Sequence, residues 1–401
     1  MDVPELRRED LHLRRAVARA PALLCVAGDP ARMGAEQGEA LAAEVRRARA
    51  VMVAGPEMAA LRPALLPARL FALVARRRSA KLLGPALARH APEAQARLLA
   101  IARGAGLAAA DGYLLHAAEL LLGAADWRDV PPAGACSAAA ARGARAAGGG
   151  PLLHHNFDYP PFTQPFYVVR ESRPARGLRH LAFTAAPLAG AIDGVNERGL
   201  AAAYNYAYAR DAGGDPVPMT VVMGMALERC ATAAEAAALV VATPRGGAGI
   251  LTFADAAGDV VRVEASRTRA EVTRAGPSDD VLFHTNVYAV PALREVEIPR
   301  TAVYSRHNQP ALRGRRVHAS GEARLAHLAR LLAASPGALD AAALQRLFAD
   351  HGATGAGTDE TVCRHGPAAE TTAMVQLFPR ERRLRVAFTS PCRAEPVEFA
   401  L

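Results

Sequence analysis

The position with most chemistry to offer in this 401-residue chain is Cys136. It stands where the texture of the sequence changes, directly after a run (126–134) whose Asp, Pro-Pro and Gly read as a loop. A thiol becomes a nucleophile when a base or a cation sits beside it. Downstream comes His154-His155-Asn156-Phe157-Asp158-Tyr159, with the turn formers Gly148-Gly149-Gly150 in between. A strand leaving Cys136, a turn at these glycines and a returning strand would set the Asp158 carboxylate beside the thiol. Alone, Cys136 reads as a small buried residue and Asp158 as a strand end before Pro160-Pro161. The hairpin gives the two a common purpose.

Other chemistries find less support. The five cysteines, Cys25, Cys136, Cys230, Cys363 and Cys392, are odd in number and include no CxxC spacing. Neither a disulfide framework nor a zinc site is expected from them, and no cofactor. Free thiols fit a reducing compartment, so the expected location is cytoplasmic. Cys363 and Cys392 read as structural, and His284 and His365 as hydrogen-bonded strand or loop residues, although a Cys363–His365 pair could line a site. Gly246-Gly247 lacks the context of a phosphate loop. The net charge of +9 is almost wholly arginine, Lys81 being the one lysine, and there is no basic face interleaved with aromatics. Nucleic acid is not an expected partner. A mild attraction for carboxylates or coenzyme A remains. No apolar run reaches the roughly 18 residues of a membrane helix. The longest, at 113–125, carries His116 and Glu119, and the acids Asp2, Glu5, Glu9 and Asp10 argue against a secretory leader.

The elements that must position these groups divide at Cys136. With 51% apolar residues the chain can fill one large core or two ordinary ones. Residues 1–135 read as a mainly helical segment, with one strand at 22–27, a helix from 31 to 51, and later helices divided by Pro63, Pro67, Pro85 and Pro92. Residues 136–401 read as short strands at 152–158, 166–171, 181–184, 201–208, 250–254, 260–265, 270–273 and 281–285, with a hairpin turn at 254–258. Helices are expected at 219–230, 232–242, 321–334 and 339–350, and closing strands at 372–377 and 384–389. The alanine- and glycine-rich stretch 138–150 reads as a turn or flexible piece. Strands, then helices, then strands suggest sheets covered by helices on both outer faces.

At this point the sequence resembles a family. A cysteine, a glycine turn and Asn156-Phe157-Asp158-Tyr159 look like the N-terminal-nucleophile (Ntn) hydrolases of the choloylglycine hydrolase and acyl-CoA:6-aminopenicillanic acid acyltransferase type. Further segments agree in order. Gly28-Asp29-Pro30-Ala31-Arg32-Met33-Gly34 with Gln37-Gly38 resembles the acyltransferase branch's propeptide motif. Asp193-Gly194-Val195-Asn196-Glu197-Arg198-Gly199-Leu200, followed by Tyr204-Asn205-Tyr206, resembles the strand–turn–strand that supplies an oxyanion asparagine. His284-Thr285-Asn286, Ser305-Arg306, Thr361-Val362-Cys363-Arg364-His365 and Ser390-Pro391-Cys392 resemble later family elements.

The resemblance implies an α+β fold, a four-layer αββα sandwich in 136–401, preceded by the helical propeptide. It implies that Cys136 attacks the carbonyl of Ala135 and cuts the chain, freeing its own α-amine as the base for its thiol. That amine and a thiol have similar reference pKa values, about 8 and 8.5, so the proton moves on nearly level ground. The thiolate then forms an acyl-enzyme with an amide or an acyl-CoA, and water or an amine accepts the acyl group. By resemblance Asp158 orients the α-amine, Asn205 holds the oxyanion, Asn286 fixes the amine or substrate, and Arg306 keeps the thiol ionised. His155, Tyr159 and Tyr204 are expected to meet the substrate, and the two cleavage fragments to stay together as a heterodimer. Two departures stand out. Ala135 replaces the family's usual glycine, and His155 stands where bile-salt hydrolases carry arginine, a group that titrates near neutrality where arginine does not. The rival reading is an unprocessed, non-catalytic relative that binds an acyl ligand or a protein partner. A basic binding protein with a buried Cys136 is the third.

Overall fold

A computed structural model describes residues 20–55, 67–118, 120–121, 134–276, 280–366 and 369–401. The expected loop at 126–134, apart from Gly134, and the N-terminal acids lie outside the described residues.

Two sheets form the centre. The first has eight strands in the order β1-β4-β5-β6-β7-β8-β9-β10: β1 (Leu23–Gly28), β4 (Tyr167–Pro174), β5 (His180–Ala185), β6 (Asp193–Asn196), β7 (Ala201–Tyr206), β8 (Gly249–Ala254), β9 (Val260–Ala265) and β10 (Ala270–Arg274). The second has six, in the order β11-β2-β3-β12-β13-β14: β11 (Val281–His284), β2 (Ser137–Ala141), β3 (Leu152–Tyr159), β12 (Glu370–Phe378), β13 (Arg383–Ala387) and β14 (Val397–Ala400). The β1–β4 pair is parallel and the other pairs are antiparallel.

Three apolar layers hold the stack together. Cys136, Ala140, Leu153, Phe157, Val375 and Val386 of the six-stranded sheet face Tyr167, Val169, Phe183, Val195 and Ala203 of the other. Behind the eight-stranded sheet lie α1 (Pro30–Ala40), α2 (Ala42–Ala54), α3 (Ala68–His90), α4 (Pro92–Gly104), α5 (Ala109–His116), α6 (Met219–Arg229) and α7 (Ala233–Ala242). Leu83, Leu98, Ile101, Val222 and Val240 from these helices meet Ala182, Ala202, Leu251 and Val263. A short α8 (Pro291–Arg294) follows β11. Behind the six-stranded sheet, Leu328 and Leu332 of α9 (Ala319–Ala333) and Leu344 and Phe348 of α10 (Ala341–Phe348) pack on Ala139, Ala141 and Leu152. This is the expected αββα sandwich. The segment before Cys136 shares its core, with β1 as an edge strand and α2–α5 within the outer helical layer.

Local differences have local reasons. The stretch expected as a turn or flexible piece begins with β2, the strand expected to leave Cys136, and β2 is buried along its whole length. Alanine favours helices, so the strand is held by its place in the sheet, where small side chains let both neighbouring layers come close. The single helix expected at 31–51 is two, broken at Leu41. Asp29 caps the first by accepting from the Arg32 N–H at 2.9 Å. Pro85 does not divide a helix. The α3 helix runs through it, with Leu83 and Leu87 buried on either side, so packing offsets the lost hydrogen bond.

Candidate active site

Antiparallel pairing gathers one end of both sheets into a single place. The β2–β3 hairpin sets Ser137 opposite Asn156, and therefore Cys136 beside the end of β3. The Ala135 N–H donates to the Asp158 carbonyl at 3.2 Å, and the Cys136 Sγ lies 3.9 Å from that oxygen. Asn205 near the end of β7, Asn286 just past β11, Thr371 at the start of β12 and Asp193 at the start of β6 come to the same end. Cys136, Asp158, Asn205 and Asn286 are all buried.

Asp158 is held on one side only. Its Oδ1 accepts from the Thr371 hydroxyl at 2.6 Å, whereas Oδ2 is buried with no hydrogen-bond partner among the described residues. Burial raises its pKa, and Arg324, Arg364, Thr371 and His155 pull the other way. Arg324 of α9 is the cation of this site. It is fully buried and donates to the Cys136 carbonyl, the Ser137 hydroxyl and Asn286 Oδ1, each at 2.8 Å. Its Nη1 lies 3.8 Å from Asp158 Oδ2. Asn286 Nδ2 in turn donates to the Tyr206 carbonyl at 2.8 Å.

The sequence reading assigned the cation to Arg306, and the structure does not bring it here. Arg306 is exposed, on a turn next to His307. Arg324 had a legible signal: the buried stripe of α9 is Gly321, Arg324, Leu328 and Leu332, an arginine in register with leucines. A fork of five N–H donors can bridge three acceptors at once, which suits it to this place.

His155, expected to meet the substrate, lies beneath the surface. It is fully buried, and its Nδ1 lies 2.7 Å from Asp193 Oδ2. Burial alone would push the ring's pKa down. The Asp193 carboxylate and then the Cys136 thiol outweigh that and raise it to about 10. Its Nε2 has no well-formed hydrogen bond among the described residues. Asp193 is itself fixed, its Oδ1 accepting from the Tyr204 N–H at 3.1 Å. The Cys136 thiol, the His155 imidazole and the Asp193 carboxylate are thus neighbours, and a base or cation beside a thiol is what can activate it. Asn205 donates one amide hydrogen to the Thr285 carbonyl at 3.2 Å, and its Oδ1 is buried without a hydrogen-bond partner among the described residues. A flipped amide would set two acceptors against each other at Thr285, so the second hydrogen of Nδ2 is the one it can offer.

Cys136 also borders an apolar cavity of about 180 Å³. Phe157, Tyr159, Phe162, Phe166, Tyr204 and Tyr206 line it, with Val51, Met52 and Leu115 from the helices before the cysteine. Tyr159 stacks on Phe157 with centroids 5.0 Å apart, and the Tyr204 hydroxyl donates to the Ala248 carbonyl at 3.2 Å. Among the described residues no Asp, Glu, Lys or Arg lines this cavity. His116 does, but burial pushes it down to about 4, and both ring nitrogens are engaged, with Gly112 O and the Ala189 N–H. The site is therefore polar at the thiol and apolar beyond it.

Comparisons with known proteins agree with the sequence motifs. The sequence model described as acyl-coenzyme A:6-aminopenicillanic acid acyl-transferase matches residues 145–381, more than half of the chain. No curated protein sequence matches it. Among solved structures, a mutant of the conjugated bile acid hydrolase from Clostridium perfringens is 11% identical, over 66% of this chain and 92% of that one, with a TM-score of 0.42. The Caenorhabditis elegans ortholog of N-acylethanolamine-hydrolyzing acid amidase is 12% identical, over 61% and 93%, at 0.41. Penicillin V acylase from Agrobacterium tumefaciens is 15% identical, over 63% and 82%, at 0.35. By the sequence match, this chain belongs to the acyl-coenzyme A:6-aminopenicillanic acid acyl-transferase family.

Proposed function

We propose that this protein is a cysteine Ntn enzyme that frees Cys136 by cutting its own chain and then moves an apolar acyl group from an amide or a thioester to water or an amine. The observation that carries the reading is a buried thiol at the mouth of an uncharged, aromatic-lined cavity, backed by Asp158, His155–Asp193 and Arg324.

The chemistry runs as follows. The Cys136 sulfur attacks the Ala135 carbonyl carbon, the peptide bond breaks and the nitrogen takes a proton, leaving a thioester. Water hydrolyses it, so residues 1–135 end in a carboxylate and Cys136 gains an α-amine. The bond is presented rigidly: the Tyr208 hydroxyl donates to the Gly134 carbonyl at 3.1 Å, the Ala135 N–H to Asp158 O, and Arg324 to Cys136 O. Asp158 Oδ2, which has no hydrogen-bond partner among the described residues, accepts from the new ammonium. In turnover the thiolate attacks the acyl carbonyl, and the amine or thiol leaving group departs with a proton. The resulting acyl-enzyme passes its acyl group to the second acceptor. Asn205 Nδ2 donates to the oxyanion, a kind of contact typically worth about 10²–10³ in rate. The His155 imidazolium stabilises negative charge on sulfur before any amine exists, which gives the uncut chain a way to start.

Intact mass of the purified chain tests this. Expected are two fragments meeting between Ala135 and Cys136, and a single full-length species for Cys136→Ala. Incubation with acyl-CoA donors and amides should add one acyl mass to the fragment that begins with Cys136. A wild-type chain that stays whole and resists acylation at Cys136 would instead favour the unprocessed, ligand-binding relative.

A further inference from the structure

Four residues that the proposed chemistry does not use converge elsewhere. His351, Cys363, His365 and Cys392 each turn one ligand atom to a common point, all four atoms within 4.8 Å of one another. We propose that they form a structural zinc site that locks the loop before β12 to the C-terminal turn.

The distances argue for a shared ion rather than for hydrogen bonds. His365 Nε2 lies 3.2 Å from His351 Nε2, 3.3 Å from Cys363 Sγ and 3.6 Å from Cys392 Sγ. One imidazole nitrogen has a single proton or a single lone pair, so it cannot serve three such neighbours. A tetrahedral zinc with bonds of about 2.0–2.1 Å to nitrogen and 2.3 Å to sulfur puts its ligand atoms about 3.3–3.8 Å apart. Two imidazoles with two sulfurs are a ligand set that suits zinc. Four protein ligands leave no open position, which marks a structural site.

The surroundings point the same way. His351 Nδ1 faces the Gly355 carbonyl at 3.1 Å. Donation there fixes the tautomer that turns the Nε2 lone pair towards the other three ligand atoms. Gly357 has a φ of +70°, and a Cβ on it would lie 2.4 Å from His365 Cδ2 and 3.2 Å from His351 Cδ2, so glycine is what lets both rings close in. The ligands come from three places: His351 just past α10, Cys363 and His365 before β12, and Cys392 in the turn after β13. The same loop supports the active site. The Arg364 N–H donates to the Thr371 hydroxyl at 2.9 Å, and Thr371 donates to Asp158. A metal between residues 363 and 365 would steady that relay.

The test uses tag-free full-length protein grown with added zinc and dialysed against metal-free buffer. Elemental analysis should find about one zinc per chain, unchanged in Cys136→Ser and lost in Cys392→Ser and His365→Ala. Cobalt(II) in place of zinc should give visible bands of tetrahedral intensity and a thiolate charge-transfer band, which needs no variant and so does not depend on one folding. Chelation should lower the melting temperature of the wild type but not of Cys392→Ser. Less than a tenth of an equivalent of zinc after reconstitution, a stoichiometric metal other than zinc, or a Cys363–Cys392 disulfide found by thiol counting would each overturn the proposal. Zinc content is read independently of acylation, so failure of the enzyme reading would leave this result intact.

Discussion

The pairing of His155 with Asp193 is the point at which a single residue changes what the site can do. The ring's folded value of about 10 lies above the ordinary value of about 6.5. Its protonation therefore stabilises the fold in full below about pH 6.5, and this contribution is lost as pH rises through about 10. If the imidazolium supports charge on the Cys136 sulfur, the alkaline limb of acylation should follow its loss. Asp193→Asn removes the carboxylate and leaves burial to push the ring down, so the limb should move from near pH 10 towards neutrality. Acylation at pH 8 should fall by about tenfold or more, the order of one lost charge-assisted hydrogen bond. The stability cost should be of the order of 3–5 kcal/mol, since one partner of a buried pair is removed. A pH profile of acylation with the limb unmoved in Asp193→Asn would show that the pair only holds structure. His155→Arg, a cation that does not titrate, should restore acylation at high pH.

At the scale of elements, the N-terminal motif has a packing reason. A Cβ on Gly34 would lie 2.3 Å from the Arg97 carbonyl oxygen, and one on Gly38 2.3 Å from that of Ile101. The glycines let α1 and α4 touch backbone to backbone. Gly34→Ala should therefore destabilise by about 1–3 kcal/mol, the usual cost of overpacking, and denaturant titration should show a lower midpoint with an unchanged slope. A midpoint equal to wild type would mean that the helices slide apart freely. The strands at 152–158 and 260–265 were legible because short runs, carrying Leu and Phe in the first and valines in the second, are bounded by Gly and Pro turn formers, and the Cys136–Asp158 hairpin followed from the first. Strand β2 was expected only as the outgoing arm of that hairpin, because five small residues carry no strand signature of their own. Arg324 carried a signal, its register with Leu328 and Leu332, but an arginine in an amphipathic helix is ordinarily read as solvated charge and so is passed over. Asp193 lay in a recognised motif, but nothing in its spacing from His155 says that β3 and β6 meet across two sheets. The His351, Cys363, His365 and Cys392 cluster was invisible for the same reason: its members come together only when three loops fold over one another.

The whole molecule bears on what self-cleavage would leave behind. The segment before Cys136 is built into the eight-stranded sheet and the helical layer behind it. Strand β1 extends the eight-stranded sheet from Leu23, beside Val169, to Gly28, beside Pro174. Gln37 donates to the Ala186 and Leu188 carbonyls at 2.9 and 3.0 Å and accepts from the buried Arg170 at 3.1 Å. Arg97 reaches Ser172 at 3.1 Å. Leu83, Leu87, Leu98 and Ile101 are fully buried in the layer behind that sheet, each worth about 1.5–3 kcal/mol on burial. Separation would expose that layer and strip Arg170 of a partner. The cavity is also shared, since Val51, Met52 and Leu115 face Phe157 and Phe166 across it. The fragments 1–135 and 136–401 should therefore co-elute as one heterodimer in native size exclusion and part only in denaturant. Residues 136–401 expressed alone should be insoluble or inactive, and co-expression with 1–135 should restore acylation. A larger fragment that runs alone, folded and active, would show that the helices before Cys136 leave once the bond is cut, and that the acyl cavity is built without them.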